Sequence, residues 1–228
     1  MKGVFFMRKM NLFIFLLLAV LVFSGCTKKQ PTALDNSGST NGTIGQDNVN
    51  ESKSESDGEI ALRDLFLKDG SNAHYEGEGN EFAELDIEVA RPFEDYVVVH
   101  ENNGGSLVRY IYKIEPDKIS ILDKKVVELI NDFPSQAELD AMDPIGIYLE
   151  KPIKKGTSFG KWTIVDTDVT VDTPYKKFDH AFVIEMKDKD IVNRKYFVEG
   201  FGEVKREDIM QLEDGEFLVT STLKTIDE

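Results

Sequence analysis

Three carboxylates within a short glycine-rich segment are the residues best suited to acid–base chemistry. Glu76, Glu78 and Glu81 lie within six consecutive positions. Two carboxylates about 5 to 9.5 Å apart, one protonated and one ionised, can cleave a glycosidic bond. These residues are therefore candidates for the acid and base of a hydrolase that acts on cell-wall polymers. The alternative, which we favour, is an acidic turn or bulge where glycine lets a sheet bend.

Four aromatic residues in the second half of the chain are candidates for the lining of an apolar pocket, namely Phe159, Trp162, Tyr196 and Phe201. Aromatic side chains at strand spacing are more often part of a core, because they bury a large apolar area. The sequence therefore leaves pocket and core as two alternatives.

The patterns of the common metal and nucleophile sites are absent from the sequence. The three histidines, His74, His100 and His180, are widely spaced, and no second cysteine accompanies Cys26. Asp179 and His180 could supply an acid and a base, but no Gly-x-Ser-x-Gly turn supplies a nucleophile. We therefore predict no catalytic residue, no metal site and no cofactor.

Two ladders of carboxylates could hold Ca²⁺ weakly or could keep a strand face solvated. An EF-hand loop starting at Asp166 fails, because Val171 and Lys177 occupy the positions that need Gly and Glu. A solvated strand face is the favoured interpretation. The two ladders are Asp166, Asp168 and Asp172, and Glu84, Asp86 and Glu88.

The amino-terminal segment has the pattern of a signal peptide. Lys2, Arg8 and Lys9 precede an unbroken run of twelve apolar residues at 12–23. A membrane-spanning helix needs about 20 apolar residues, so a permanent anchor is the less favoured alternative. The motif that follows, Phe23-Ser24-Gly25-Cys26, resembles the lipobox of bacterial lipoproteins.

The resemblance to the lipobox implies that residues 1–25 are removed and that Cys26 is acylated. In that family the thiol carries a diacylglyceryl group, and two acyl chains anchor a protein stably. The membrane is then a partner through the lipid on Cys26, and we expect the protein on the outer face of the cytoplasmic membrane. Because the chain has one cysteine, we expect no internal disulfide.

The chain is acidic, with a formal net charge of −15. Removing residues 1–25 takes away three basic residues and leaves 24 Lys and Arg against 42 Asp and Glu, a net charge of −18. Such a surface repels nucleic acid and anionic lipid, so we expect no nucleic-acid partner. An envelope protein or a small apolar ligand is the partner class that remains.

Composition divides the mature chain into two parts. Residues 26–58 carry almost no large apolar side chain and are rich in small polar residues, which is typical of a disordered tether. Residues 59–228 have the size and apolar content of a single β-rich domain. Acidic glycine-containing segments at 76–81 and 199–203 hint at two similar halves, about 74–133 and 156–223.

Alternating apolar and polar residues predict a series of short strands. In 82–89 every second residue is apolar, and 96–100 and 107–114 read as a hairpin joined by Asn and Gly residues. Further strands are predicted over 119–122, 162–171, 178–186, 191–198, 204–212 and 217–223.

These strands predict a mainly β fold, with α+β as the alternative. Many strands with one apolar face do not stay flat and open in water. We therefore expect a strongly curved antiparallel meander, a half-barrel or two packed sheets, with one or two short helices. Residues 59–67 could be a short helix or an extended lead-in, and 124–133 could be strand or helix.

Four glycine-containing blocks follow one another along the chain. They are Tyr75–Glu81, Asn102–Gly105, Leu149–Phe159 and Gly200–Lys205. In this order they are similar to a family of uncharacterised lipoproteins from Gram-positive, clostridia-like bacteria, over most of residues 62–225. The resemblance implies an envelope lipoprotein and carries over no activity and no site residue.

The sequence as a whole indicates a membrane-anchored, extracytoplasmic lipoprotein that binds a ligand or partner without catalysis. The alternative is the carboxylate-dependent hydrolase of cell-wall polymers. A buried carboxylate pair with strongly perturbed pKa values in a cleft would favour the hydrolase. A concave apolar cavity would favour the binding module.

Overall fold

The computed structural model describes residues 59–130 and 133–228. The predicted signal peptide, the lipidated Cys26 and the tether at 26–58 lie outside the described residues and stay predictions. Within the described part, no helix is long and apolar enough to cross a membrane.

The described residues form one antiparallel sheet of twelve strands. Each strand pairs with the strands next to it along the chain, except that the sixth and seventh strands do not pair with each other and the first strand pairs with the twelfth. The first six strands and the last six therefore make two meanders that join where the first strand pairs with the twelfth. The strands are β1 Asn72–Glu78, β2 Leu85–Phe93, β3 Tyr96–Asn102, β4 Leu107–Ile114, β5 Lys118–Val126, β6 Gly146–Glu150, β7 Ser158–Phe159, β8 Trp162–Asp172, β9 Lys177–Asp188, β10 Ile191–Val198, β11 Gly202–Leu212 and β12 Gly215–Asp227.

The sheet is curved until it nearly closes. The edge strands β6 and β7 approach each other without pairing. Arg206 on β11 also bonds Glu101 on β3 at 2.9 and 3.0 Å, although four strand spacings, roughly 19 Å along the sheet, separate them. Only a strongly bent sheet brings such side chains together. The predicted curved antiparallel meander is therefore confirmed in its half-barrel form.

Inward-facing side chains fill most of the concave side. On β3, Val97 and Val99 are buried while Glu101 continues the same face toward the interior. On β9 and β10, Phe182 stacks on Phe197 with ring centroids 5.2 Å apart. The two valines and the two phenylalanines belong to the main core, and the apolar area that this core buries stabilises the fold.

Residues before β1 pack against the main core on the concave side of the curved sheet. Leu62–Leu65 form a 3-10 helix, and the chain is then extended at Phe66. Arg91 holds this segment through hydrogen bonds to the carbonyl oxygens of Phe66 and Leu67. Both alternatives predicted for 59–67 are thus partly correct, because Leu62–Leu65 form a single helical turn and the chain is extended after it.

A smaller core lies on the outer face of β3, β4 and β5. The helix α1, Gln136–Asp140, begins with a capping box between Ser135 and Glu138 and places Leu139 on this face. Tyr96 donates a hydrogen bond from its hydroxyl to Asp140 at 2.6 Å. The cluster comprises Tyr96, Val98, Ile111, Leu122 and Leu139.

The ambiguous stretch at 124–133 contains the end of a strand and no helix among its described residues. β5 ends at Val126, and residues 127–130 are irregular. The strand alternative therefore holds for 124–126, whereas 127–130, where Leu129 is exposed, form neither a strand nor a helix. Strands β1, β6 and β7 were not predicted, since β7 has two residues and β1 has the glycine and acid content of a turn.

Candidate functional site

A cavity of about 270 Å³ lies on the concave side of the sheet. Most of its wall is apolar and aromatic. Strand β4 contributes Tyr110 and Tyr112, whose rings stack with centroids 6.0 Å apart because residues two apart share a strand face. Tyr148 on β6 lies 4.7 Å from the Tyr112 ring, centroid to centroid. The aromatic wall comprises Phe66, Tyr110, Tyr112, Tyr148, Trp162 and Phe201.

Four charged side chains form an ion-pair network in the wall of the cavity, which we call the inner ionic cluster. Arg206 binds both oxygens of Glu101, at 3.0 and 2.9 Å, and its Nε bonds Glu203. Lys195 Nζ bonds the other oxygen of Glu203 at 2.8 Å. All four side chains are largely buried, with exposed fractions of 9 to 23%. Each carboxylate oxygen in the cluster is therefore paired with a cationic N–H.

The inner ionic cluster perturbs the protonation of its members. Burial acts to raise the pKa of Glu203, but the charges of Arg206 and Lys195 outweigh it and lower the pKa to about 2. Burial acts to lower the pKa of Arg206, and the two neighbouring carboxylates raise it well above its usual value. Glu203 and Arg206 are therefore both ionised across the physiological pH range.

Three tyrosines line the cavity and have hydroxyls without a hydrogen bond to any residue in 59–130 or 133–228, namely Tyr110, Tyr112 and Tyr148. Burial raises the pKa of Tyr110 to about 12 and raises the pKa values of Tyr112 and Tyr148 well above the usual range. Tyr112 is only 5% exposed. These hydroxyls stay protonated at neutral pH and can exchange hydrogen bonds with a bound molecule.

The cavity lining carries a net positive charge. Lys124 stands at its edge, with Nζ 5.1 Å from the centroid of the Tyr110 ring, and it makes no ion pair with a described residue. Together with Lys195 and Arg206 it gives three cations against the two carboxylates Glu101 and Glu203. The lining is thus net +1 within a chain of net charge −15.

Two of the four predicted pocket aromatics line the cavity. Trp162 and Phe201 are part of its wall, whereas Phe159 is buried in the core away from the lining. Tyr196 does not line the cavity either, and its hydroxyl donates to Glu207 at 2.9 Å. Of the four residues, Trp162 and Phe201 therefore line the pocket and Phe159 belongs to the core.

The three candidate acid–base carboxylates lie outside the cavity. Glu76, Glu78 and Glu81 are exposed, and Glu76 pairs with Lys224 at 2.9 Å. The cleft that a glycosidase requires is not formed around them. Within residues 59–130 and 133–228, no three His, Cys, Asp or Glu side chains are grouped to hold a metal ion, and this includes both carboxylate ladders.

A second cavity of about 330 Å³ lies on the outer face and contains a buried histidine. His100 is 1% exposed, and neither ring nitrogen has a hydrogen-bond partner among the residues that the structure describes. Burial lowers the pKa of His100, partly opposed by the charge of Glu88. A neutral imidazole packed edge-on against Phe133, with ring centroids 5.8 Å apart, fits this site.

Sequence reasoning missed the residues that define the site. Glu101 interrupts an apolar face after Val97 and Val99, and a charge in that position is a signal of a polar interior contact. Tyr110 and Tyr112 share a face in the period-two pattern. Neither signal identifies the partner Arg206, which is 105 residues away in sequence.

Comparison with known proteins gives two solved structures and no family. No protein-family model and no curated protein matches the chain. One similar structure is a protein from Bacteroides fragilis NCTC 9343 that is assigned as exported and has a YmcC-like fold. The two structures have a TM-score of 0.46 and 13% sequence identity, and the alignment covers 72% of this chain and 98% of that chain. Another is assigned as a lipoprotein, from Parabacteroides distasonis ATCC 8503: TM-score 0.43, 10% identity, and the same coverage of 72% and 98%. The resemblance to a clostridia-like lipoprotein family stays a prediction.

Proposed function

We propose that this protein is a non-enzymatic lipoprotein of the cell envelope that binds a small ligand inside its curved sheet. The observation that carries the proposal is the cavity of about 270 Å³, which combines an aromatic wall with hydroxyls that have no described partner. Ligand sites are typically concave, mostly apolar and supplied with a few polar groups. Polar groups inside proteins are nearly always hydrogen-bonded, so wall hydroxyls without a described partner are available to bond a bound molecule.

The proposed location rests on the amino-terminal sequence. Acylation of Cys26 would hold the domain on the outer face of the cytoplasmic membrane, and the tether at 26–58 would separate it from the lipid headgroups. In this position the cavity is accessible to molecules that arrive from outside the cell. Replacement of Cys26 by Ser should move the protein from the membrane fraction to the soluble extracytoplasmic fraction, as measured by fractionation and immunoblotting.

Trp162 offers a direct test of ligand binding. It is the only tryptophan of the chain and lines the cavity, so its fluorescence reports on that site. Protein isolated from its native envelope should carry a small molecule detectable by native mass spectrometry, and removal of that molecule should change the Trp162 emission. Protein that carries no small molecule and whose emission responds to no fraction of an envelope extract would contradict the proposal.

A cavity-filling variant separates binding in the cavity from binding elsewhere. Ile121 lines the cavity and is half-buried, so Ile121→Phe should occupy part of the space and reduce binding. Ile114 is similarly half-buried on the neighbouring strand but does not line the cavity, which makes Ile114→Phe the matched control. Thermal unfolding of both variants verifies that they fold.

A further inference from the structure

We infer that the ligand of the cavity is a small amphipathic acid, with an apolar body and a single anionic group. The inference rests on the proposed ligand-binding function and specifies the chemistry of the ligand. Its basis is the combination of the aromatic wall, the net positive lining and the way in which hydrogen bonds are distributed within the inner ionic cluster.

The cavity volume sets the size of the ligand. About 270 Å³ is the space of roughly nine water molecules and lies just below the common range of about 300 to 1,000 Å³ for ligand pockets. A medium-chain aliphatic acid or a small aromatic acid fits this range. The aromatic rings of Phe66, Tyr112 and Tyr148 surround the space and would contact the apolar body.

The hydrogen-bonding pattern distinguishes an anionic ligand from a cationic one. Both oxygens of Glu203 and both oxygens of Glu101 already accept hydrogen bonds from Arg206 or Lys195. A ligand ammonium would therefore meet carboxylates that are already paired. The cations have spare donors, because Lys195 uses one of its three N–H groups in the cluster and Lys124 has no described ion pair.

Charge balance supports the same conclusion. The two glutamates compensate two of the three cations in the lining, which leaves one positive charge. A monoanion would neutralise this charge within a partly desolvated site, where electrostatic interactions are stronger than in water. The hydroxyls of Tyr112 and Tyr148 stay protonated and can donate hydrogen bonds to the anionic group.

Three probes of equal chain length test the inference. Octanoate, 1-octanol and octylamine are titrated separately into the ligand-free, full-length protein while Trp162 fluorescence and the heat of binding are recorded. Octanoate should bind about tenfold more tightly than 1-octanol, which corresponds to about 1.4 kcal/mol, and octylamine should bind most weakly. A tighter complex with octylamine or with 1-octanol, or equal binding of all three, would overturn the inference while leaving the ligand-binding function intact.

Two neighbouring lysines provide a matched pair of variants. Lys124 faces the cavity beside Tyr110, whereas Lys125 pairs with Arg109 in the sheet register and faces the opposite side. Lys124→Gln should weaken octanoate binding about threefold and leave 1-octanol binding unchanged, while Lys125→Gln should affect neither. Equal effects of the two substitutions on octanoate would show that general surface charge, and not the cavity, selects the anion.

The failure of the proposed function has a different signature. If none of the three probes changes the Trp162 emission or releases heat, the cavity does not bind small apolar molecules and both proposals fall. If neutral and charged probes respond alike, only the inferred acidity of the ligand is wrong.

Discussion

Replacement of Glu203 by Gln is the sharpest perturbation of the inner ionic cluster. The substitution keeps the shape of the side chain and removes the charge that Arg206 and Lys195 share. Each pKa unit corresponds to about 1.4 kcal/mol, so a carboxyl whose pKa falls from 4.5 to about 2 contributes about 3 kcal/mol at neutral pH. Loss of one member of a buried ion pair typically costs about 3 to 5 kcal/mol, which agrees in magnitude.

The loss should be measured as the free energy of unfolding in urea, followed by the fluorescence of Trp162. At pH 7, Glu203→Gln should lower this free energy by about 3 kcal/mol, equivalent to a fall in Tm of roughly 6 to 12 °C for a domain of this size. The difference from the wild type should depend on pH. Because the folded pKa is below the unfolded value, the stabilisation is complete above about pH 4.5 and is lost as pH falls from there toward 2.

A surface carboxylate on a neighbouring part of the sheet is the control. Glu76 also pairs with a lysine, Lys224, but is about half exposed, so Glu76→Gln should leave the free energy of unfolding close to that of the wild type. If Glu203→Gln costs no more than Glu76→Gln, or if its cost is the same at pH 3 as at pH 7, the argument from buried charge is refuted.

Two further predictions follow from buried groups on the outer face and in β1. Burial lowers the folded pKa of His100, so the free energy of unfolding of the wild type should fall as pH falls below about 6.5. Between pH 7 and 5, His100→Phe should lose less of this free energy than the control variant His180→Phe, whose site is exposed. An equal change with pH in the two variants, measured by urea unfolding, would contradict the prediction. A Cβ on Gly77 would lie 2.1 Å from the backbone nitrogen of Glu84, so Gly77→Ala should destabilise the fold by about 2 kcal/mol or more, as measured by thermal unfolding. In the same assay the control Gly146→Ala should be tolerated, because a Cβ there would meet no atom closer than 3.7 Å.

Most of the strands were predictable because their signal is local. The hairpin of β3 and β4 follows from β-branched and aromatic runs on either side of Asn and Gly, and β10 begins and ends where the apolar pattern does. Strand β1 escaped prediction because its pairing with β12 and β2, rather than the propensity of its residues, makes it a strand. The two-residue β7 is similarly defined only by its partner.

The candidate site was predictable only in part. Trp162 and Phe201 were identified as possible lining residues from their aromatic character, but Tyr196 has the same character and does not line the cavity. Tyr196 lies on the face of β10 opposite to that of the buried Phe197, and the alternation alone does not show which face is turned toward the cavity. The acidic segment at 76–81 drew attention through its composition and proved to be exposed.

The sequence by itself determined the β-rich character, the strand boundaries in most of the chain and the expectation of an acylated amino terminus, because each of these depends on residues close together in the chain. The tertiary structure decided the cavity and the inner ionic cluster. Glu101 and Arg206 are 105 residues apart and meet only because the sheet curves over the four strand spacings between β3 and β11. The curvature of the sheet results from the twist and the bulges of all its strand pairs together, and a short stretch of sequence does not reveal this combined effect.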